Sequence, residues 1–163
     1  MAGDAKVPPA RLAILRRSPD SKGVLFDLPS VTSGADDVLR ANGVQDRCAV
    51  ESGSFFETVP AGGDAYILKN IIHGWADDKA LAILRDIREA IDPAGKLLPV
   101  EFVVPEGNGP HPAKLIDPEM LVIVGGRERT EGEFREFLAR AGFRLDRVVE
   151  TASPLCVLES TPV

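Results

Sequence analysis

Short apolar segments alternate with helical segments along this chain, and that alternation constrains the fold more than any other feature. Four segments are apolar and strand-like: 23–28, 48–51, 65–72 and 96–104. Helices between such strands favour a mostly parallel sheet with both faces covered. Two further segments, 143–150 and 154–159, have no helix between them, which predicts an antiparallel pair. The sequence therefore predicts an α/β fold, mostly parallel, with an antiparallel C-terminal strand pair.

Local signals place the helices. Residues 77–91 carry apolar side chains at helical spacing and acidic residues in the first turn, which indicates an amphipathic helix. Thr130 and Glu133 form a capping-box pattern at the start of a helix that ends near Arg140. Three further helices are predicted: 9–17, ended by Pro19; 35–42, ended by Gly43; and part of 113–124.

Composition excludes several classes of protein. The net charge is -6, whereas a nucleic-acid partner needs a basic face. No apolar run approaches the ~18 residues of a membrane helix, and the N-terminus lacks the apolar core of a signal peptide. Cys48 and Cys156 lie in apolar, strand-like runs and are interpreted as reduced core cysteines. We therefore expect one cytoplasmic domain over residues 1–163, with residues 1–8 disordered.

Five strings carry a resemblance to a known family. In chain order they are GVLFDLP (23–29), GSFFETVP (53–60), DAYILKNIIHGW (64–75), DPAGKLLPVE (92–101) and GGRERTEGEF (125–134). Together they resemble the S-adenosylmethionine-dependent small-molecule O-methyltransferases of the caffeate and hydroxyindole kind. The resemblance implies a Rossmann-like class I methyltransferase sheet and methyl transfer to a hydroxyl of a small aromatic molecule.

The resemblance assigns a catalytic group. It makes His73 the general base that removes the proton of the substrate hydroxyl, and it makes Glu101 and Glu128 the acids that orient this histidine. A phenol has a pKa of ~10 and needs such a base. The alternative for each glutamate is a lone surface position. Gly74 departs from the family, in which an aspartate commonly grips the substrate hydroxyl there; no metal is expected.

The resemblance also implies cofactor-binding residues. Asp27 ends a strand and corresponds to the acid that binds the ribose hydroxyls; the alternative is a turn or capping aspartate before Pro29. Ser54 replaces the acid that binds the adenine amine, and Phe55 corresponds to the aromatic residue beside the ring, or to a core phenylalanine. Lys69 belongs to the same site.

A third group of residues is predicted to line the acceptor pocket. Asp117 and Met120 occupy a substrate-lining string of the family, although a methionine on a helix is equally typical of a core. His111, in a Pro-His-Pro loop, is predicted to be exposed and without a chemical role.

The family's glycine-rich cofactor loop, GxGxG, has no counterpart here, because the first eight residues contain one glycine, Gly3. The resemblance therefore predicts a partial domain that lacks the first central strand and the N-terminal dimerisation domain. S-adenosylmethionine binding is expected to be weak or lost, with none at micromolar concentration. Two hypotheses stay open: a methyltransferase, or a non-catalytic remnant or interaction domain. Either one could need a complementing polypeptide or form a homo-oligomer.

Overall fold

The structure is a computed structural model that describes residues 9–163, with side chains from Leu12 onward. The chain divides into two compact units, Met1–Pro60 and Ala61–Val163. The predicted disorder of residues 1–8 lies outside the described residues, and the assignment of the whole chain to one domain stays a prediction. Within residues 9–163, no helix is both long and apolar enough to cross a membrane.

The first unit is a two-stranded parallel sheet with short helices. Its elements are α1 (Pro9–Arg17), β1 (Gly23–Asp27), α2 (Pro29–Thr32), α3 (Ala35–Ala41), a 3-10 turn (Gln45–Arg47) and β2 (Cys48–Ser52). The register runs from Gly23 opposite Cys48 to Asp27 opposite Ser52, so both strands end at the same edge. The core that supports them consists of Leu15, Leu25, Ala35, Leu39, Val44 and Cys48.

Arg47 connects the separate pieces of this unit. Its guanidinium donates hydrogen bonds to the carbonyl oxygens of Leu15, Ser18 and Ser21 at 2.8, 3.1 and 3.0 Å. These acceptors lie at the end of α1 and in the connection to β1, where the helix leaves carbonyl groups without helical partners. One side chain therefore closes the turn that leads into the strand carrying Asp27.

The second unit is a mixed sheet with helices. Its elements are β3 (Ala65–Lys69), a 3-10 turn (Ile72–Gly74), α4 (Asp77–Ala90), β4 (Lys96–Val104), α5 (Pro112–Val124), β5 (Arg129–Thr130), α6 (Glu131–Ala139), β6 (Phe143–Glu150) and β7 (Leu155–Pro162). The strand order is β3-β4-β7-β6, with β5 also paired to β4. β3 and β5 run parallel to β4, whereas β7 runs antiparallel to β4 and β6. The predicted C-terminal antiparallel pair is confirmed.

Two details of this sheet differ from simple strand patterns. The strand predicted over 65–72 ends at Lys69, because Asn70 takes a left-handed conformation, with φ 54°, and turns the chain. Pro99 lies inside β4, as expected from the sequence. The pairing of β4 with β7 is interrupted between Leu97 and Val100. Pro99, which has no N–H to donate, lies in this interruption.

The helices of this unit follow from their sequences. α4 turns one face inward, and its buried residues are Ala80, Leu81, Ile83, Leu84 and Ile87. The predicted capping box of α6 is confirmed: Thr130 Oγ1 accepts a hydrogen bond from Glu133 N at 3.3 Å, and Glu133 Oε2 accepts one from Thr130 N at 2.8 Å. Such a cap typically contributes ~1 kcal/mol. It fixes the backbone two residues after Glu128.

Candidate active site

Glu101 is held inside the second unit by the alternation of β4. Inward residues of that strand are buried, and Glu101 is 0% exposed. Its Oε1 accepts hydrogen bonds from Ile71 N at 3.0 Å and Ile72 N at 2.8 Å. These two amides follow the left-handed Asn70, where the chain has left the strand. The carboxylate therefore satisfies the backbone of the turn that presents His73.

His73 lies in the 3-10 turn and is 9% exposed. Its Nδ1 is 2.6 Å from Glu128 Oε1 and 3.8 Å from Glu101 Oε2. Because a carboxylate accepts hydrogen bonds, Nδ1 carries the proton in the neutral ring, and Nε2 keeps its lone pair. Within residues 9–163, Nε2 has no hydrogen-bond partner. This is the arrangement that a general base requires.

Glu128 reaches His73 from the segment between α5 and β5. Its backbone N–H donates to Asp117 Oδ1 at 2.8 Å, and the residue is 4% exposed. The alternative of lone surface glutamates is therefore wrong for both acids. In the described part of the chain, the second oxygens of Glu101 and Glu128 are buried without a hydrogen-bond partner. Two desolvated carboxylates thus surround one imidazole.

The charges of this group shift its protonation equilibria. The hydrogen bond to Glu128 raises the pKa of His73 above 6.5, and the charge of Glu101 raises it further, while burial and the charge of Arg129 oppose both. Burial raises the pKa of Glu101 from 4.5 to about 7, against the attraction of His73 and the two backbone amides. The geometry thus stabilises the imidazolium that forms when His73 accepts a proton.

Sequence reasoning missed the buried cation beside this group. Arg129 is 0% exposed; its Nη2 donates to Asp77 Oδ1 at 2.6 Å, and its guanidinium lies 4.2 Å from the Phe137 ring centroid. This pair joins the start of α4 to the residue after Glu128. The signals available were an acid in the first turn of α4 and an arginine next to Glu128, but a contact 52 residues apart leaves no periodic pattern.

Three residues of the predicted cofactor site lie in the first unit, at one edge of its sheet. Asp27 ends β1, and its backbone oxygen accepts a hydrogen bond from Gly53 N at 3.0 Å, so Ser54 and Phe55 follow directly. Asp27 Oδ1 accepts from Leu28 N at 2.8 Å, and α2 has no side-chain cap. Asp27 therefore does not cap α2, whereas its hydrogen bond to Leu28 N fits the alternative of a turn aspartate, which stays open beside the ribose-binding role.

The resemblance predicts that the nucleoside part of S-adenosylmethionine binds at this edge. In the described residues, Asp27 Oδ2 has no hydrogen-bond partner, so it is available to ribose hydroxyls at the carboxyl ends of parallel strands. The Ser54 hydroxyl accepts a hydrogen bond from Phe56 N at 3.3 Å. Phe55 is half-buried and packs edge-to-face on Phe56, with ring centroids 4.9 Å apart. The carboxylate of Asp27, the hydroxyl of Ser54 and the ring of Phe55 thus belong to the same edge of this sheet.

The remaining predicted residues lie in the second unit. Lys69 ends β3 and is exposed. Asp117 and Met120 are half-buried on α5, and Asp117 Oδ1 accepts a hydrogen bond from Glu128 N. His111 is half-buried rather than exposed: its Nδ1 caps α5 by accepting a hydrogen bond from Ala113 N at 3.3 Å.

Gly74, beside His73, has room for a side chain, because a Cβ built on it would meet nothing within 4 Å.

Comparison with known proteins gives consistent results. The chain is 46% identical over 155 residues to phenazine O-methyltransferase PhzM of Lysobacter antibioticus. The aligned region covers 95% of this chain and 46% of that protein. It is 42% identical over 156 residues to O-demethylpuromycin-O-methyltransferase of Streptomyces alboniger, with 93% and 42% covered. This chain thus spans less than half the length of these relatives.

Solved structures show the same fold. The crystal structure of LaPhzM matches with a TM-score of 0.90 and 46% identity, over 95% of this chain and 47% of that one. NcsB1, an O-methyltransferase from neocarzinostatin biosynthesis solved with S-adenosylmethionine and 2-hydroxy-5-methyl naphthoic acid, matches with a TM-score of 0.84 and 32% identity, over 94% and 45%. The sequence model of a protein family, the O-methyltransferase domain, matches residues 10–144 of this chain. The chain therefore belongs to the O-methyltransferase domain family.

Proposed function

We propose that this chain carries the general-base machinery of an S-adenosylmethionine-dependent O-methyltransferase, with His73 as the base. The observation that supports this most directly is the 2.6 Å contact between His73 Nδ1 and Glu128 Oε1 among buried acids. It fixes the tautomer in which Nε2 accepts a proton. A merely structural histidine would not require two desolvated carboxylates, which are costly to bury.

The proton step follows from this arrangement. Nε2 of His73 removes the proton of the acceptor hydroxyl as the new oxygen–carbon bond forms, and Glu128 stabilises the resulting imidazolium. A positioned base of this kind contributes ~10²–10⁴-fold to the rate. When bound, S-adenosylmethionine would supply the methyl group from its positively charged sulfur, the sulfur–carbon bond breaking as the oxygen–carbon bond forms and the sulfur leaving as a neutral thioether. Glu101 supports the step indirectly, because it holds the turn in which His73 lies.

Four residues are proposed to hold the cofactor. Asp27 would accept hydrogen bonds from the ribose hydroxyls, Ser54 one from the adenine amine, and Phe55 would lie against the ring. Lys69, in the second unit, is included because the resemblance assigns it to the cofactor. A neutral hydroxyl accepts a weaker hydrogen bond than a carboxylate does, so Ser54 supports the expectation of weak binding in this chain.

The acceptor is proposed to be a hydroxyl on a small, flat aromatic molecule, lined by Asp117 and Met120. Relatives support this class by their names: one is a phenazine O-methyltransferase, one is a 3-amino-4-hydroxybenzoate 4-O-methyltransferase, and NcsB1 was solved with a hydroxynaphthoic acid. Met120, half-buried on α5, has the flexible, polarizable side chain that suits contact with such a ring.

The test is methyl transfer from radiolabelled S-adenosylmethionine to a panel of hydroxylated phenazines, benzoates and naphthoates. The cofactor is supplied at millimolar concentration because weak binding is expected. His73→Gln should lower transfer by at least ~10²-fold, whereas the matched control, His111→Gln, should retain it. Equal transfer by His73→Gln and the wild-type chain would refute the assignment of the base.

The second hypothesis, an interaction domain, is favoured by a different observation. Helix α5 exposes large apolar side chains, and contiguous exposed apolar surface is typical of interaction sites. These exposed residues are Leu115, Leu121, Val122, Ile123 and Val124. Sedimentation equilibrium of the purified chain tests whether this surface associates. A folded oligomer without methyl transfer to any acceptor would favour this hypothesis over the enzyme.

A further inference from the structure

The backbone at Gly126 touches the backbone that carries the proposed base. Gly126 is buried, and a Cβ built on it would lie 1.9 Å from the His73 carbonyl oxygen and 2.9 Å from Trp75 N. Real Cβ atoms essentially never approach another heavy atom within 3.0 Å. Any side chain at this position would therefore separate the two segments by about 1 Å.

The same short segment is fixed on its other side by α5. Gly125 ends that helix in a left-handed conformation, with φ 71°, which suits glycine. Gly126 N then donates to Met120 O at 3.1 Å, and Glu128 N donates to Asp117 Oδ1 at 2.8 Å. The path from α5 to Glu128 is thus held between two helical anchors and the turn of His73.

We propose that Gly126 and Asp117 are positioning residues that together set the separation between the Glu128 carboxylate and the His73 ring. Gly126 permits the close approach of the two backbones, and Asp117 prevents the Glu128 segment from turning away. Neither residue needs to touch a substrate to act in this way. The catalytic consequence rests on the proposed function, whereas the positioning itself does not.

The geometry leaves little tolerance for displacement. The contact between Nδ1 and Oε1 is 2.6 Å, so a shift of about 1 Å takes it beyond the normal range of a hydrogen bond, which ends near ~3.2 Å. The other oxygen of Glu128 is buried without a hydrogen-bond partner among the described residues. The charged groups facing His73 are Glu101, Glu128 and Arg129, and of these only Glu128 makes a hydrogen bond to the ring.

Proton NMR titration of the full chain measures this contact directly. The chain contains two histidines, His73 and His111, so His111→Gln assigns both signals. In the wild-type chain we expect the pKa of His73 above 6.5, because its hydrogen bond to Glu128 raises it. Gly126→Ala should lower that pKa. The matched control is Gly132→Ala, where the nearest atom to a new Cβ is 4.0 Å away, and it should leave the pKa unchanged.

Substitutions of Asp117 test the other anchor without a steric clash. Asp117→Ala removes the acceptor for Glu128 N and should also lower the pKa of His73. Asp117→Asn should restore it, because the amide oxygen accepts the same hydrogen bond. If Gly126→Ala does not fold, which circular dichroism detects, the Asp117 pair decides the question alone. An unchanged His73 pKa in folded Asp117→Ala would overturn the proposal, and so would failure of Asp117→Asn to restore a lowered one.

Catalytic measurements separate this proposal from the proposed function. Misplacement by 1 Å can cost ~10²-fold in rate, so folded Gly126→Ala and Asp117→Ala should lose about that factor in kcat. Wild-type chains that transfer no methyl group, but show the expected His73 shifts, would refute the enzyme and leave the positioning intact. Normal kcat with a lowered His73 pKa would overturn the catalytic importance of the positioning.

Discussion

Replacing Glu101 by glutamine should stabilise the protein increasingly as pH rises from 5 to 8. Burial raises the pKa of Glu101 from 4.5 to about 7 in the folded protein, so folding favours its protonated form. Between these two pKa values the folded state binds more protons than the unfolded state, and stability falls as pH rises. The difference between these two pKa values corresponds to about 3 kcal/mol at most in the free energy of unfolding, at ~1.36 kcal/mol for each pH unit.

Glutamine avoids this cost while it keeps the structure. Its amide oxygen can accept the same two hydrogen bonds from Ile71 and Ile72, so near pH 5 the variant should match the wild type. Above pH 7 it should be more stable by about 3 kcal/mol. Because the charges of His73 and Glu101 attract each other, the pH dependence belongs to the coupled pair, and the variant should gain stability relative to the wild type as pH rises.

Urea denaturation followed by Trp75 fluorescence measures this difference. Trp75 is the single tryptophan and lies two residues from His73, so it reports on the second unit. The matched control is Glu106→Gln, whose side chain is exposed after β4 and should alter stability by no more than ~0.5 kcal/mol. A difference between Glu101→Gln and wild type that stays flat or narrows between pH 5 and 8 would refute the reasoning.

Three further predictions concern the surrounding residues. Glu128→Gln should lower the pKa of His73, because the hydrogen bond to Glu128 is the largest cause of its raised pKa. In a plot of kcat/KM against pH, the acid limb should therefore move to lower pH, and the plateau should be lower. Asp77→Asn should destabilise the chain by about 1–2 kcal/mol in urea, because buried Arg129 loses a charge-assisted hydrogen bond to a partly exposed partner. Ser54→Asp should tighten S-adenosylmethionine binding about tenfold, measured by saturation-transfer NMR at millimolar cofactor.

Each of these predictions has a contrary result. An acid limb that does not move in Glu128→Gln would show that the hydrogen bond does not tune the base. Asp78→Asn is the control for Asp77→Asn, because Asp78 is exposed in the same turn of α4; equal losses in both would point to the helix dipole instead of the ion pair. Weaker cofactor binding by Ser54→Asp would refute the placement of adenine beside residue 54.

Local sequence signals predicted the elements well, because strands and helices depend on near neighbours. α1 spans the predicted residues 9–17, β4 the predicted 96–104, and the capping box at Thr130 is present. The end of β3 was missed, since it depends on a left-handed Asn70 and on a carboxylate 30 residues away. Propensity alone does not encode such a contact.

The candidate site was predictable only through resemblance. His73 and Glu128 are 55 residues apart in the chain, and no periodicity connects them. The role of Gly126 was hidden for a different reason: in the sequence it is a glycine after a helix, and its close contact with His73 exists only in the folded chain. Asp117, which the resemblance assigns to the acceptor pocket, also accepts a hydrogen bond from the backbone of Glu128, and no local sequence pattern indicates that contact.

The two acids that the resemblance treats alike act differently in this fold. One oxygen of Glu101 accepts hydrogen bonds from two backbone amides, and the other lies 3.8 Å from His73 Nδ1. Glu128 Oε1, by contrast, lies 2.6 Å from His73 Nδ1, within hydrogen-bond distance. A carboxylate that organises backbone can be replaced by its amide with the turn intact, but a carboxylate that stabilises an imidazolium cannot be replaced without loss of charge. Loss of the hydrogen bond and the charge of Glu128 therefore lowers the pKa of His73 directly. At Glu101, loss of the charge also lowers the pKa of His73, through charge alone, and it removes the desolvation cost of a buried carboxylate.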